Sequence, residues 1–253
     1  PYLLPRGLAV GFALWAFATL QRLLLTRDIR GLGLEAVVVV AAVGITLWTV
    51  GFFMPSDLGT YGYGDYKLNL LALINPYDWS RLVPELPHLK YDYEGLSFLG
   101  IGVLALLIAA LLSGAVLRLR ALIRHQWWPL ALALLGLTVF ALSQKIALGD
   151  HELFTIAYPK FVEAIGSAFR STGRFVWPLL YFVTIGSVAL LATRLKPVPL
   201  ATLAALALAV QLFDSAPQAA KFRASLPPPA STWTTPLVSI VWDRAADAGY
   251  DRI

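Results

Sequence analysis

Residues 34–54 read LEAVVVVAAVGITLWTVGFFM, and this stretch decides the fold class. In water, its run of β-branched residues at 37–40 would favour a strand. A bilayer core, however, needs about 20 consecutive apolar residues per spanning helix. Inside lipid, a helix satisfies its own backbone hydrogen bonds and a lone strand does not. We therefore expect residues 34–54 to cross a membrane as an α-helix.

The same kind of apolar run recurs along the whole chain. Hydrophobic residues make up 58% of the 253 residues and charged residues only 14%, and the mean hydropathy is +0.69. A soluble protein normally carries about 25% charged residues. We predict an all-α polytopic membrane protein with about six transmembrane helices, at approximately residues 7–25, 34–54, 96–117, 127–143, 175–192 and 198–213.

The connections between the predicted helices are of two kinds. Three short ones are basic, and Lys and Arg mark cytoplasmic loops; they carry Arg22, Arg27, Arg30, Arg118, Arg120, Arg124, Arg194 and Lys196. The long connections, residues 55–95 and 144–174, have mixed charge and many aromatic, Gly and Pro residues. We expect both long loops and both ends of the sequence outside the cytoplasm, in a bacterial inner membrane. The net charge of +5 then reflects topology, and no nucleic-acid partner is expected.

Two domains are predicted. Residues 1–213 form the transmembrane domain, and residues 214–253 form an extracytoplasmic tail in which a soluble domain begins. The sequence starts with Pro1 and its only Met is Met54, so we expect a segment of a longer protein. Cysteine is absent, which excludes disulfides and thiolate chemistry. His88 has no partner at metal-ligand spacing, and His151, between Asp150 and Glu152, is either part of a metal or acid/base cluster or simply a solvated loop residue. No metal site is predicted, and a divalent metal requirement stays open.

The first long loop contains a motif of alternating Tyr and Gly that runs from Tyr61 to Asn69. Glycines allow close approach of a ligand, and the rings of Tyr61, Tyr63 and Tyr66, with Asn69, are candidate substrate contacts. Asp65 is the candidate catalytic residue, as a base or as a contact to the acceptor. The alternative is a Gly-rich turn that packs on the membrane surface with its Tyr side chains at the interface.

The second long loop carries cations near the predicted membrane boundary. They are Lys145, Lys160, Arg170 and Arg174, and an amphipathic helix is expected around residues 158–169. Arg170 and Arg174 would share one face if their turn is helical. Guanidinium groups match phosphate oxygens, so a lipid phosphate or pyrophosphate is the expected ligand. Alternatively, these residues anchor the next helix to headgroups or pair with loop carboxylates such as Glu163.

Several short motifs resemble a bacterial family of large inner-membrane proteins whose architecture is similar to that of the GT-C glycosyltransferases. They are Tyr63-Gly64-Asp65-Tyr66 through Asn69, Asn75-Pro76, Tyr93-Glu94-Gly95 leading to Leu99-Gly100, Leu142-Ser143 through Leu148-Gly149, and Phe169-Arg170 through Arg174-Phe175. The resemblance implies transfer of a sugar from a polyprenyl-phosphate donor to an extracytoplasmic acceptor. It also implies a phosphate-facing role for Arg170 and Arg174. The catalytic carboxylate of that family lies in a region that this sequence lacks.

Three functions are therefore open. The first is the C-terminal half of a GT-C-like hexosyltransferase, whose partners would be membrane lipids and a lipid-linked sugar. The second is a non-enzymatic structural or assembly subunit that binds other membrane subunits. The third is a lipid or polysaccharide transporter, which the lack of a charged residue in the middle of any predicted span disfavours.

Overall fold

The computed structural model describes residues 3–49, 51, 63–114, 117, 127–167, 169, 171–226 and 239–248. The described chain is mostly helical, which confirms the helical part of the predicted class. It divides into two compact units, Pro1–Gln218 and Ala219–Ile253. The second unit contains the end of a long helix and the short helix α8 (Ile240–Asp247).

The first two helices, α1 (Leu3–Thr26) and α2 (Ile29–Thr49), form a hairpin. Arg27 has a left-handed φ of 55°, and Asp28 then caps α2 by accepting a hydrogen bond from the Gly31 N–H at 3.0 Å. Gly51, with φ 73°, closes the other end by donating to the Trp48 carbonyl. With these two ends, α2 begins and ends about five residues before the predicted span 34–54.

Four further helices complete the bundle: α3 (Ile101–Leu112), α4 (Trp128–Leu142), α6 (Trp177–Ala192) and α7 (Pro197–Ser225). Both α4 and α6 begin with Pro in the first turn, where its missing N–H costs nothing. The helices α3, α6 and α7 share an apolar cluster of Leu106, Ala110, Leu191 and Ala207. A Cβ at Gly102 would collide with the Ala207 carbonyl, so α3 and α7 approach closely.

Four segments are long and apolar enough to cross a membrane: Gly7–Thr26, Ile29–Thr49, Gly173–Ala192 and Pro197–Ser225. The described parts of α3 and α4 have 12 and 15 residues. At 1.5 Å per residue, they are about 18 and 22 Å long, which is shorter than a bilayer core of about 30 Å. The described residues thus give four candidate spans and two shorter apolar helices. Residues 118–126, between α3 and α4, are not among the described residues.

The helix α7 extends beyond the last predicted span, 198–213. It continues to Ser225 although Pro217 lies inside it, and four of the residues from 214 to 225 are Ala, which favours a helix. The predicted boundary followed hydropathy alone, which marks where a helix leaves an apolar environment and not where it ends.

The second long loop is not purely helical, which corrects the all-α prediction. Ser143, with φ 61°, ends α4, and an antiparallel hairpin follows, with β1 (Lys145–Leu148) and β2 (His151–Thr155) joined by a turn at Gly149. Lys145 therefore lies on a strand and not inside the end of the fourth span. A short amphipathic helix, α5 (Lys160–Ser167), follows the hairpin.

The two long loops pack together at one end of the helices. We call residues 63–100 and 143–176, where described, the loop platform. The backbone of residues 66–70 runs between α4, β1 and the turn before α6: Leu68 N–H donates to the Ala141 carbonyl, and Leu70 N–H donates to the Ala147 carbonyl. The N–H groups of Thr172 and Gly173 both donate to the Tyr66 carbonyl at 3.1 Å. The loop platform thus has its own backbone network.

Candidate functional site

Two of the three predicted tyrosine contacts are described, and they lie in different surroundings; Tyr61 lies outside the described residues. Tyr63 lines a cavity of about 250 Å³ with Tyr158 and Ser143, and burial raises the pKa of Tyr63. The ring of Tyr66 makes edge contacts to Tyr91 at 5.4 Å and Tyr93 at 6.3 Å between ring centroids. The rings of Tyr63 and Tyr66 therefore lie in separate parts of the loop platform.

Asn69 is a structural residue, which corrects its prediction as a substrate contact. Its side chain is 2% exposed, and its amide nitrogen donates to the Asp92 carboxylate and to the Gly149 carbonyl, both at 2.7 Å. Its amide oxygen accepts from the N–H groups of Leu71 and Gly149, both at 3.0 Å. Because both donors and both acceptor positions are used, Asn69 joins the first loop to the hairpin turn.

Asp92 was not singled out from the sequence, although it is fully buried in this network. One carboxylate oxygen accepts from Asn69 and from the Leu89 N–H at 3.0 Å. In the sequence, Asp92 is one of several acidic residues in a mixed-charge loop, and nothing in that pattern distinguishes it from its exposed neighbours.

Two of the ion pairs that connect the loops involve the hairpin, and one of these joins the candidates Asp65 and Lys145. The Lys145 ammonium lies 3.0 Å from the Asp65 carboxylate, and this hydrogen bond raises the pKa of Lys145. The Lys67 ammonium, which is 2% exposed, lies 3.1 Å from Glu152. The candidate base and a candidate phosphate ligand thus neutralise each other. Lys160 is exposed at the start of α5, and no ion pair within the described residues includes it.

Arg174 lies in a 3₁₀ turn (Gly173–Val176) that leads into α6. Its Nη2 is 2.7 Å from the Glu94 carboxylate, and its Nε donates to the Glu94 carbonyl at 3.2 Å. The guanidinium carbon is also 5.8 Å from the Trp177 ring centroid. The expected alternative partner, Glu163, is not involved. Arg170 lies outside the described residues, so its predicted face shared with Arg174 is not described.

Arg174 also borders a cavity that is larger than the cavity at Tyr63. This apolar cavity has a volume of about 490 Å³ and lies between α1, α4 and α6. Among the described residues that line it, Arg174 carries the charge; the others are Gly7, Val10, Leu14, Leu130, Leu134, Phe175, Trp177, Pro178, Tyr181 and Phe182. A Cβ at Gly7 would meet no atom within 4 Å, so this position faces open space.

The first long loop is also joined to α7, through Asp214. One oxygen of the buried Asp214 carboxylate accepts from the Ser80 hydroxyl at 2.7 Å and from the N–H groups of Arg81 and Leu82 at 2.9 Å. The Arg81 guanidinium lies 4.7 Å from the Phe213 ring centroid. Asp214 was predicted as the first residue of the tail, whereas it fixes the loop platform to the bundle.

Within the described residues, no group of three or more His, Cys, Asp or Glu side chains is arranged to hold a metal ion. His151 is exposed beside Asp150. His88 is held by neighbours of its own loop, with Nε2 2.6 Å from Glu85 and Nδ1 3.0 Å from the Leu89 carbonyl.

Comparison with known proteins gives one result. The model of the family described as Domain of unknown function (DUF6311) matches residues 1–216. No curated protein and no solved structure matches the chain.

Proposed function

We propose that this chain, which belongs to the DUF6311 family, is the membrane part of a glycosyltransferase-like protein that uses a polyprenyl-phosphate-linked sugar. The observation that carries this proposal is the apolar cavity between α1, α4 and α6 with the Arg174 guanidinium at its edge. A polyprenyl phosphate has the same two-part chemistry, an apolar chain that ends in an anion. The sugar-transfer reaction itself is inferred from the resemblance of the sequence motifs to GT-C-like proteins.

Arg174 has donors to spare for a phosphate. Its contacts with Glu94 use Nε and Nη2, and a guanidinium has five N–H donors, two of them on Nη1. In the proposed reaction, an acceptor hydroxyl attacks the anomeric carbon and gives its proton to a base, while the electrons of the sugar–oxygen bond pass to the phosphate. Arg174 would stabilise the negative charge that grows there. We assign no catalytic base, and Asp65 stays a candidate contact for the acceptor.

The proposal includes a topology of six spans, in which α3 and α4 also cross the bilayer. The loop platform gathers at one end of the helices. Near the opposite end, Arg194 donates to the Gly114 carbonyl at 3.3 Å, and Arg27 and Arg30 lie in and beside the α1–α2 turn. Basic residues at one end of the bundle support the cytoplasm on that side and the loop platform outside it, in a bacterial inner membrane.

The test is to purify the full-length protein gently and to identify its bound lipids by native mass spectrometry. We expect an isoprenoid phosphate lipid on the wild type. Gly7→Phe fills the cavity without an initial clash, and Arg174→Gln removes the cation, so each should reduce lipid occupancy about tenfold. Gly44→Phe in α2 is the matched control, because its Cβ also meets no atom within 4 Å and it does not line the cavity.

The proposal fails if the wild type carries no such lipid, or if Gly7→Phe retains as much as Gly44→Phe. Gly7→Phe and Gly44→Phe add the same side chain to a membrane helix. A difference between them therefore reports the cavity and not a general effect of the added ring.

The second candidate function is a non-enzymatic structural or assembly subunit, with the loop platform as its docking surface. It is favoured by the pairing of Asp65 with Lys145, Lys67 with Glu152, and Arg174 with Glu94, since each pair connects two loop segments. A partner protein that copurifies in fixed ratio, together with no isoprenoid phosphate, would support this function over the first.

A further inference from the structure

The contact between Arg174 and Glu94 divides the guanidinium into two sides. Glu94 occupies one side, with its carbonyl at Nε and its carboxylate at Nη2. The two donors on Nη1 are not engaged by Glu94. Arg174 lines the cavity between α1, α4 and α6, and Glu94 does not.

Two of the contacts that position Arg174 do not need the charge of Glu94. The Nε bond goes to the backbone carbonyl, and the third contact is with the Trp177 ring. Both side chains are largely shielded, with exposed fractions of 29% for Arg174 and 16% for Glu94. The carboxylate therefore adds a negative charge next to the proposed anion site, where solvent screens it incompletely.

We propose that Glu94 is a positioning and charge-balancing residue that weakens the hold of Arg174 on an anionic headgroup so that the lipid phosphate can exchange. This inference rests on the proposed function, since it concerns the same cavity. A carboxylate near a bound phosphate repels it, and the repulsion grows with the charge of the phosphate. It therefore acts most strongly on a phosphate monoester, the form in which the lipid leaves after sugar transfer.

The prediction is that loss of this charge tightens binding. Glu94→Gln keeps the backbone carbonyl and an amide oxygen that can accept from Nη2, and it removes the charge. We expect about threefold to tenfold tighter binding of farnesyl phosphate, mainly through slower dissociation. The gain should shrink at high salt, because ions screen the repulsion. A loss of structure alone would give no such salt-dependent gain.

The experiment measures binding of farnesyl phosphate, farnesol and inorganic phosphate to the full-length protein in detergent. The variants are Glu94→Gln, Glu94→Asp, Arg174→Gln and Glu85→Gln. Glu94→Asp keeps the charge and should bind as the wild type does. Glu85→Gln also removes a loop carboxylate, the one paired with His88, but Glu85 does not line the cavity, so no change is expected.

The outcomes separate the two proposals. If the wild type prefers farnesyl phosphate to farnesol and loses this preference in Arg174→Gln, while Glu94→Gln binds no tighter, the role of Glu94 is wrong and the function stands. If Glu85→Gln tightens binding equally, the effect is one of total charge and the role of Glu94 is again wrong. If the wild type does not distinguish farnesyl phosphate from farnesol, or binds inorganic phosphate as tightly, the lipid-phosphate site itself is refuted.

Discussion

The most apolar 18 residues of α1 include no residue that is buried inside the protein, and among the most apolar 18 residues of α2 only 6% are buried. The loop platform, by contrast, buries the polar side chains of Lys67, Asn69 and Asp92 to 2% exposure or less. The first region leaves its apolar side chains exposed on the protein, which is consistent with helices that cross a membrane. The second region folds around specific hydrogen bonds, as the core of a soluble domain does.

The difference predicts how each region responds to substitution. A residue in α2 needs to be apolar and compatible with a helix, since its neighbours are mostly lipid. A residue in the loop platform needs one shape and one set of hydrogen bonds, because an unpaired buried polar group costs about 1–3 kcal/mol. The two following predictions test this contrast, with the larger effect first.

The largest effect is expected where three backbone segments cross. A Cβ at Gly173 would lie 2.7 Å from the Gly95 Cα and 3.0 Å from the Lys67 carbonyl oxygen, and backbone atoms cannot rotate away. Gly173→Ala should lower the free energy of unfolding by about 2–3 kcal/mol. Denaturant unfolding followed by tryptophan fluorescence measures this loss, and hydrogen exchange in residues 64–75 should increase.

The matched control for this prediction is Gly186→Ala in α6, where a Cβ meets no atom within 4 Å. It should be neutral or slightly stabilising, since Ala favours a helix more than Gly does. Equal stability of Gly173→Ala and Gly186→Ala would show that the crossing of the three segments is looser than described.

A smaller loss of stability is expected when either of two ion pairs at the hairpin of the loop platform is broken. Glu152→Gln leaves the Lys67 ammonium, which is 2% exposed, without its anionic partner. We expect a loss of about 1–2 kcal/mol, discounted because the Glu152 side chain is itself 42% exposed. Asp65→Asn breaks a pair whose side chains are 33% and 48% exposed, and the cost should stay below about 1 kcal/mol. Thermal unfolding of both variants checks the order, and a reversed order would contradict the burial argument.

The sequence predicted the apolar helices well because the physical signal there is local. Composition within one segment decides whether it can lie in lipid, so α1, α2, α6 and α7 could be located from hydropathy. Their ends were less accurate where a capping residue decided them. Asp28 starts α2 from outside the predicted span 34–54, and Gly51 closes the helix from inside that span, so hydropathy identifies neither end.

The candidate site could be predicted only in part, because its contacts join residues far apart in the chain. Arg174 was predicted from the sequence as a cation of the second long loop and lies at the edge of the apolar cavity, but its partner Glu94 lies 80 positions away. Asn69 and Asp65 were predicted as site residues from the chemistry of their side chains. Both contact the β1–β2 hairpin, Asn69 at Gly149 and Asp65 at Lys145, and the sequence did not predict this hairpin. The β1 and β2 segments are four and five residues long, too short for a periodic pattern to be read.

The smallest expected effect is the pH dependence that His88 gives to the loop platform. Hydrogen bonds to the Leu89 carbonyl and to the Glu85 carboxylate, with the nearby charge of Asp92, raise the pKa of His88. Because the folded pKa exceeds the unfolded value of about 6.5, the stabilisation is complete below about pH 6.5 and is lost as the pH rises through the folded pKa. Its size is at most about 1 kcal/mol, since solvent screens this surface pair. The stability difference between the wild type and His88→Gln should therefore shrink from about pH 5.5 to about pH 9, which denaturant unfolding can follow.

His151→Gln, at a side chain that is 81% exposed, is the control for this pH dependence. A difference that stays constant over this range would mean that the two hydrogen bonds at His88 do not depend on its charge.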